Sequence, residues 1–231
     1  MSWLTDFWNS YGSQILQDLG PHLFMVGVSL LIGIVVAVPL GVLLTRFPRQ
    51  AGPVIGVVSI FQTIPSLVFF ALLLPWLGIG LVPALVVLAL YSLLPILRNT
   101  YIGVRSVDPS LIDAARGQGM TEWEILTMVE LPLTAPVIVT GIRLAAIYLV
   151  SWATLASLIG AGGLGDLIFS GIDSENQNLL LAGAIPTALL ALIVGFLFGR
   201  LRRRVTPRGL KAQVSTRAQP VYKGEVMAPW T

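Results

Sequence analysis

Long apolar stretches alternate with short polar ones along this chain. No Asp, Glu, Lys, Arg or His occurs from Phe24 to Leu44 or from Pro53 to Leu97, and each run exceeds the ~20 residues that carry a helix across a bilayer core. Hydropathy read together with Gly, Pro and charge predicts spans near 24–45, 55–75, 81–98, 135–160 and 179–199. The expected fold class is all-α integral membrane, with about five transmembrane helices. Ahead of the first span, "MSWLTDFWNS" has no basic residue and mixes apolar with polar positions, unlike a secretory leader. It reads as a short amphipathic helix at a membrane surface, with Trp3, Phe7, Trp8 and Tyr11 as interfacial aromatics. Three regions follow: an extracytoplasmic N-terminal segment (1–23), a transmembrane domain (24–200) and a basic, aperiodic, flexible tail (201–231).

Charge placement orients the spans. The 14 Lys and Arg begin only at Arg46; they cluster after span one, between spans three and four, at the entry to span four (Arg143) and after span five. All of these segments lie on one side, which the positive-inside rule makes the cytoplasm, leaving the N-terminus outside and the C-terminus inside a bacterial plasma (inner) membrane. Outer segments carry only acids: Asp6, Asp18, Asp166, Asp173 and Glu175. The "GRLRRR" cluster follows a span directly and reads as an anchor to lipid headgroups rather than a nucleic-acid site.

Composition then excludes several chemistries. With 55% hydrophobic and 11% charged residues, a soluble fold could not cover its apolar surface. Cysteine is absent, so thiol nucleophiles and thiolate metal sites are excluded, and the single His22, expected at the interface before span one, builds no metal site alone. No Asp or Glu lies between Asp18 and Asp108 or between Glu130 and Asp166, which argues against ion coupling and against acid–base catalysis within the spans. Neither lysine, in "GLKAQ" or "YKGE", follows the glycines of a P-loop. Neither a catalytic residue nor a metal site is expected.

The segment from roughly Thr100 to Thr134 is the one sizeable polar connection. Asp108-Pro109-Ser110 opens a helix, "LIDAA" continues it, and Gly117 and Gly119 allow a sharp turn or a close approach. Thr121 and Glu124 fit a capping box for a second short helix, which Pro132 is expected to stop. The result is a projecting two-helix knob.

Within it, "DAARGQG", nine residues and "VELP" resemble the EAA loop of ABC-importer permeases, with Asp for the usual Glu and Val for the usual Ile. Asp113, Ala114, Ala115, Gly119, Val129, Leu131 and Pro132 occupy the motif. "QTIPSL", "LLPILRNTY", "IGAGGLGD" and "LAGAIPTALLAL" extend the resemblance to permeases of osmoprotectant importers, which carry glycine betaine, carnitine, choline or proline betaine. It implies a type I importer of MetI-like permease fold, whose loop is a coupling helix seated in an ATPase subunit. It also implies the partners: two ABC ATPase subunits, a second permease (identical or paralogous) and an extracytoplasmic solute-binding protein. ATP and Mg would be bound by the ATPase, leaving this chain without a cofactor of its own.

Polar residues at membrane depth are candidates for the solute path: Gln62, Thr63 and Ser66 around Pro65, then Tyr91, Ser92, Ser151, Trp152 and Thr154. The same residues could equally bond helices together. No single span shows an aromatic cage for a quaternary ammonium group. Arg143 is expected to snorkel to cytoplasmic headgroups. Outside, Gly160, Gly162, Gly163, Gly165 and Asp166 of "GAGGLGD" look too loose for a rigid helix end; they read as a re-entrant or periplasmic turn near the binding protein, or as a plain flexible loop, with Asp166, Asp173 and Glu175 exposed.

Overall fold

A computed structural model describes residues 2–207, with side chains from Thr5 onward. Among the described residues the structure is helical throughout: α1 (Ser2–Arg46), α2 (Pro48–Thr63), α3 (Ser66–Leu77), α4 (Leu81–Arg105), α5 (Pro109–Gly117), α6 (Glu122–Glu124), a π-helical stretch (Ile125–Glu130), α7 (Leu131–Ala156), a 3-10 turn (Ser157–Ile159), α8 (Gly165–Asp173) and α9 (Gln177–Val205). Among the described residues four helices are long and apolar enough to cross a membrane, giving five spans if the bent pair α2–α3 counts as one. The side chain of Trp3 and the tail beyond residue 207 lie outside what the structure describes.

Three expectations are corrected. The N-terminal segment is not a separate surface helix: α1 runs for 45 residues with Pro21 and Pro39 inside it, about 68 Å at the usual helical rise. Its first turns pack Phe7, Tyr11, Ile15 and Leu19 against Leu164, Leu167, Leu179 and Ala182, so that stripe is buried on α8 and α9, while Trp8 and Leu16 stay exposed. Span two is broken, not merely loosened. Pre-proline sterics hold Ile64 extended (φ −73°, ψ 126°), and α2 and α3 meet at 95°. Finally, α9 carries Arg202, Arg203 and Arg204 inside its last turn, so the helix extends past the expected end at 199 and into the start of the expected tail.

Helix α4 is the central element, touching α1, α2, α3 and α7. Small residues make this possible: a Cβ at Gly41 of α1 would sit 2.7 Å from Thr100 Cβ, and one at Gly141 of α7 would sit 2.6 Å from Asn99 Cβ. Lipid tails are as apolar as the helices, so close backbone approach and van der Waals contact, rather than escape from water, hold such an interface. The core gathers Met25, Phe70, Val87, Leu88, Ile96, Leu97, Leu149 and Ala153. Outer faces of α1 and α9 leave Leu31, Val35, Leu192 and Phe196 exposed, as expected where lipid or another subunit covers them.

Candidate functional site

The knob between α4 and α7 is built by local rules. Asp108 caps α5, accepting from the Ser110 N–H at 2.9 Å; these Ser110 bonds hold its carboxyl below the ordinary carboxylate range. At the other end the Met120 N–H donates to Ala115 O and the Gly119 N–H to Arg116 O. That pair of bonds is a Schellman termination, which places the next-to-last residue in the left-handed region. Gly119 occupies it with φ +83° and nothing within 4 Å of where a Cβ would stand. Dihedral freedom is therefore what the fold itself asks of Gly119, and the space above it is open. Gly117, by contrast, is an ordinary last residue of α5.

Thr121 then caps α6 in the expected capping box, its Oγ1 accepting from the Glu124 N–H and the Glu124 carboxylate accepting from the Thr121 N–H at 2.7 Å. Arg116 straps the two arms together through Glu122 at 2.8 Å, with Asp113 3.9 Å away. Ala115 is buried under the elbow while Ala114 and Asp113 face outward. Beside them Leu111, Trp123 and Met128 are exposed, Trp123 at 70%. These three apolar residues were not singled out in the sequence, although their place next to the motif was a usable signal.

Pro132 does not stop the second helix, contrary to expectation. The chain passes from α6 through the π-helical stretch into α7 without a break, the Leu131 N–H donating to Leu126 O. Wider turns admit one extra residue, and Pro132 follows directly on them near the start of α7. Leu131 is half-buried and Pro132 exposed. The π-helical stretch is fixed from inside by Ile125 and by Glu130, whose side chain is 3% exposed and accepts from Arg46 Nη2 at 2.7 Å. The Arg46–Glu130 pair joins the end of α1 to the base of the knob. Sequence reasoning missed it because its partners are 84 residues apart.

At the broken span, Tyr91 on α4 fastens the end of α2. Its hydroxyl donates to Ile64 O at 2.7 Å, and Gln62 Nε2 donates to Tyr91 O at 3.0 Å. Gln62 and Tyr91 thus bond helices together, and buried Ser92 donates to Ala89 O. Thr63 donates locally to Ile60 O and is exposed, as is Ser151, whose carbonyl accepts from Thr154. Ser66 is half-exposed. Tyr91 also meets the Trp152 ring at 4.6 Å, within an aromatic row that also includes Phe61, Phe69 and Tyr148. The row draws on α2, α3, α4 and α7, so no single span carries it, and Tyr148 was not singled out in the sequence.

The glycine-rich turn is packed, not loose. Gly160, Gly162 and Gly163 have positive φ, and Gly163 seats against His22, where a Cβ would be 3.1 Å from Nδ1. Gly165 opens α8 and is pressed on Thr154 O. His22 is fully buried, its Nε2 3.1 Å from Val150 O, so it is an internal tie between α1 and α7 rather than an interfacial residue. Asp166 is half-buried instead of exposed, and burial raises its carboxyl above the ordinary range; Asp173 and Glu175 are exposed as expected. Arg143 lies across α9, its guanidinium 3.6–3.8 Å from where Cβ atoms of Gly199 and Gly195 would be.

This arrangement has known counterparts. The family described as the binding-protein-dependent transport system inner membrane component matches residues 13–208. The carnitine transport permease protein OpuCB of Listeria monocytogenes is 50% identical over 211 residues, covering 91% of this chain and 97% of that protein. The glycine betaine/carnitine/choline transport system permease protein OpuCB of Bacillus subtilis (strain 168) is 47% identical over 211 residues with the same coverage, 91% and 97%. Among solved structures, a chain of the inward-facing MetNI methionine ABC transporter matches with a TM-score of 0.75 at 26% identity, covering 84% of this chain and 96% of that one. The helical fold thus agrees with the family resemblance read from the EAA-like stretch. This chain belongs to the family of inner-membrane components of binding-protein-dependent transport systems, as a permease subunit of an ABC importer.

Proposed function

We propose that the chain moves a quaternary-ammonium compatible solute, of the carnitine, glycine betaine and choline class, into the cell, driven by a separate ATPase docked on Asp113–Pro132. The observation that carries the coupling role is the knob: a Schellman elbow presents Leu111, Trp123 and Met128 to the outside, apolar residues that nothing among the described residues covers. The solute class is supported by the two OpuCB relatives, one a carnitine and the other a glycine betaine/carnitine/choline transport permease. Five spans enclose too little room for a solute path, so two permease subunits stand side by side, each on one ATPase subunit that binds ATP and Mg, and a solute-binding protein docks outside near Gly160–Asp166. In this reading the knob is cytoplasmic, with Asp173 and Glu175 outside. A cysteine at Ser174, exposed at the end of α8, is then labelled by an impermeant maleimide added to intact cells.

Reconstitution tests the proposal. Proteoliposomes holding the permease and the ATPase encoded beside it, supplied with its binding protein, should accumulate labelled carnitine or glycine betaine only when ATP is inside. Accumulation without ATP, or of none of these solutes, refutes it.

A further inference from the structure

We propose that Tyr148 and Trp152 of α7 form an open-faced cation–π site that holds the quaternary ammonium head of the solute in passage. The proposal rests on the solute class given above and names the residues that meet its charge. The aromatic row runs from the core to an open face. Phe61 stacks on Phe69 at 6.0 Å, Phe69 meets Tyr91 edge-on at 5.6 Å, Tyr91 meets Trp152 at 4.6 Å, and Trp152 meets Tyr148 at 5.4 Å with a tilt of 47°. Phe61 at one end is half-buried, Phe69 and Tyr91 in the middle are 4% and 2% exposed, and from there burial falls through half-buried Trp152 to Tyr148, 40% exposed. Tyr91 is committed, its hydroxyl to Ile64 O and its ring to both neighbours. Tyr148 and Trp152 are one helical turn apart on the same face of α7, with exposed Ser151 between them.

Two further observations fit this face to a solute path. Helix α2 ends at Thr63, about 24 Å of helix from Pro48, so the break with its exposed Thr63 and Pro65 sits at membrane depth. Bare main chain there is tolerated only where protein or a water-filled cavity covers it. Tyr91 ties that break directly to Trp152. Moreover, no Asp or Glu occurs between Asp18 and Asp108 or between Glu130 and Asp166, so the spans offer a passing cation no carboxylate. Ring faces supply the attraction instead. A cation within ~6 Å of a ring centroid is held without an opposite charge, and rings 5.4 Å apart are within reach of one such head together. Such holding is weak enough to release the solute, as a conducting site requires.

The test uses the reconstituted transporter with saturating loaded binding protein. Tyr148→Leu and Trp152→Leu should each lower the uptake rate about 10-fold, while binding-protein stimulation of ATP hydrolysis persists. Tyr148→Phe and Trp152→Phe should retain most uptake, since the π face remains. 5-Fluorotryptophan placed at position 152 keeps the shape and weakens the ring's negative face, and should lower uptake by roughly two-fold. Wild-type uptake in both Leu variants overturns the site, and so does a fluorinated ring that transports like tryptophan. If the Phe variants fall as far as the Leu variants and lose ATPase stimulation too, the rings only pack the bundle and the site is overturned as well. A wild-type transporter that carries no quaternary ammonium solute refutes the solute class itself, a result distinct from the others.

Discussion

Replacing Arg46 by Ala leaves the Glu130 carboxylate buried at the base of the knob with its charged partner gone. The two members of this pair are unequal: Glu130 is 3% exposed and Arg46 is 38% exposed, at 2.7 Å. Breaking a buried pair from one side costs roughly 3–5 kcal/mol, because the remaining charge stays desolvated. Arg46 reaches water in part, so Arg46→Ala belongs near the lower end, about 3 kcal/mol. Glu130→Gln keeps the volume and an oxygen for Arg46 and loses only the charge assistance, about 1–2 kcal/mol. Removing both charges together, as Arg46→Met with Glu130→Met, leaves nothing uncompensated and should cost less than Arg46→Ala alone. Titration with denaturing detergent, followed by tryptophan fluorescence, ranks the variants. The same preparations report the tie between α1 and the knob, because Arg46→Ala should also reduce ATPase stimulation by the binding protein. A double variant as unstable as the sum of its singles, or an Arg46→Ala protein within about 0.5 kcal/mol of wild type, would refute this reasoning.

Two other predictions concern the glycine-rich turn. Gly165→Val drives a side chain into the Thr154 carbonyl and the Ser157 hydroxyl, and the Thr154 carbonyl is α7 main chain that cannot retreat. Folded protein recovered in detergent should drop severely, whereas Gly117→Val, with open space around it, should leave yield nearly unchanged; equal yields would contradict the packed turn. Asp166 has its folded pKa raised by burial from the ordinary 3.8, so the folded state favours the protonated acid. Its share of stability is complete below the unfolded pKa and is lost as pH rises through the folded one. Asp166→Asn should therefore match wild type in thermal stability near pH 3.5 and exceed it at pH 7; a difference that does not change with pH would count against burial as the cause.

Much of the bundle was legible because span length is set by the bilayer rather than by tertiary contacts, and the runs 24–44 and 53–97 exceed that length by themselves. The knob was legible for the opposite reason: a capping box and a glycine terminator act over a few residues, so Thr121, Glu124 and Gly119 declare themselves locally. What escaped was set by distant partners. Pro65 was visible, but the 95° bend also depends on Tyr91 reaching Ile64 O. His22 looked interfacial until Gly163 and Val150 closed over it. The aromatic row is scattered from Phe61 to Trp152 and assembles only when α4 lies between α3 and α7. Pro132 misled because the π-helical stretch before it absorbs the irregularity that a proline ordinarily forces.

The central claim is that Asp113–Pro132 transmits the work of a partner ATPase through an elbow whose outer space belongs to that partner. Gly119 tests it through three variants in reconstituted proteoliposomes. Gly119→Asn tolerates the left-handed region and adds little bulk; Gly119→Ala bears a dihedral strain of about 1 kcal/mol; Gly119→Trp fills the open space. With membrane insertion and binding-protein docking measured as controls, Gly119→Asn should retain most uptake and Gly119→Ala part of it. Gly119→Trp should insert and dock normally, yet lose both uptake and the stimulation of ATP hydrolysis by loaded binding protein. Wild-type uptake and stimulation in Gly119→Trp would contradict the account and reduce the knob to a passive connection between α4 and α7.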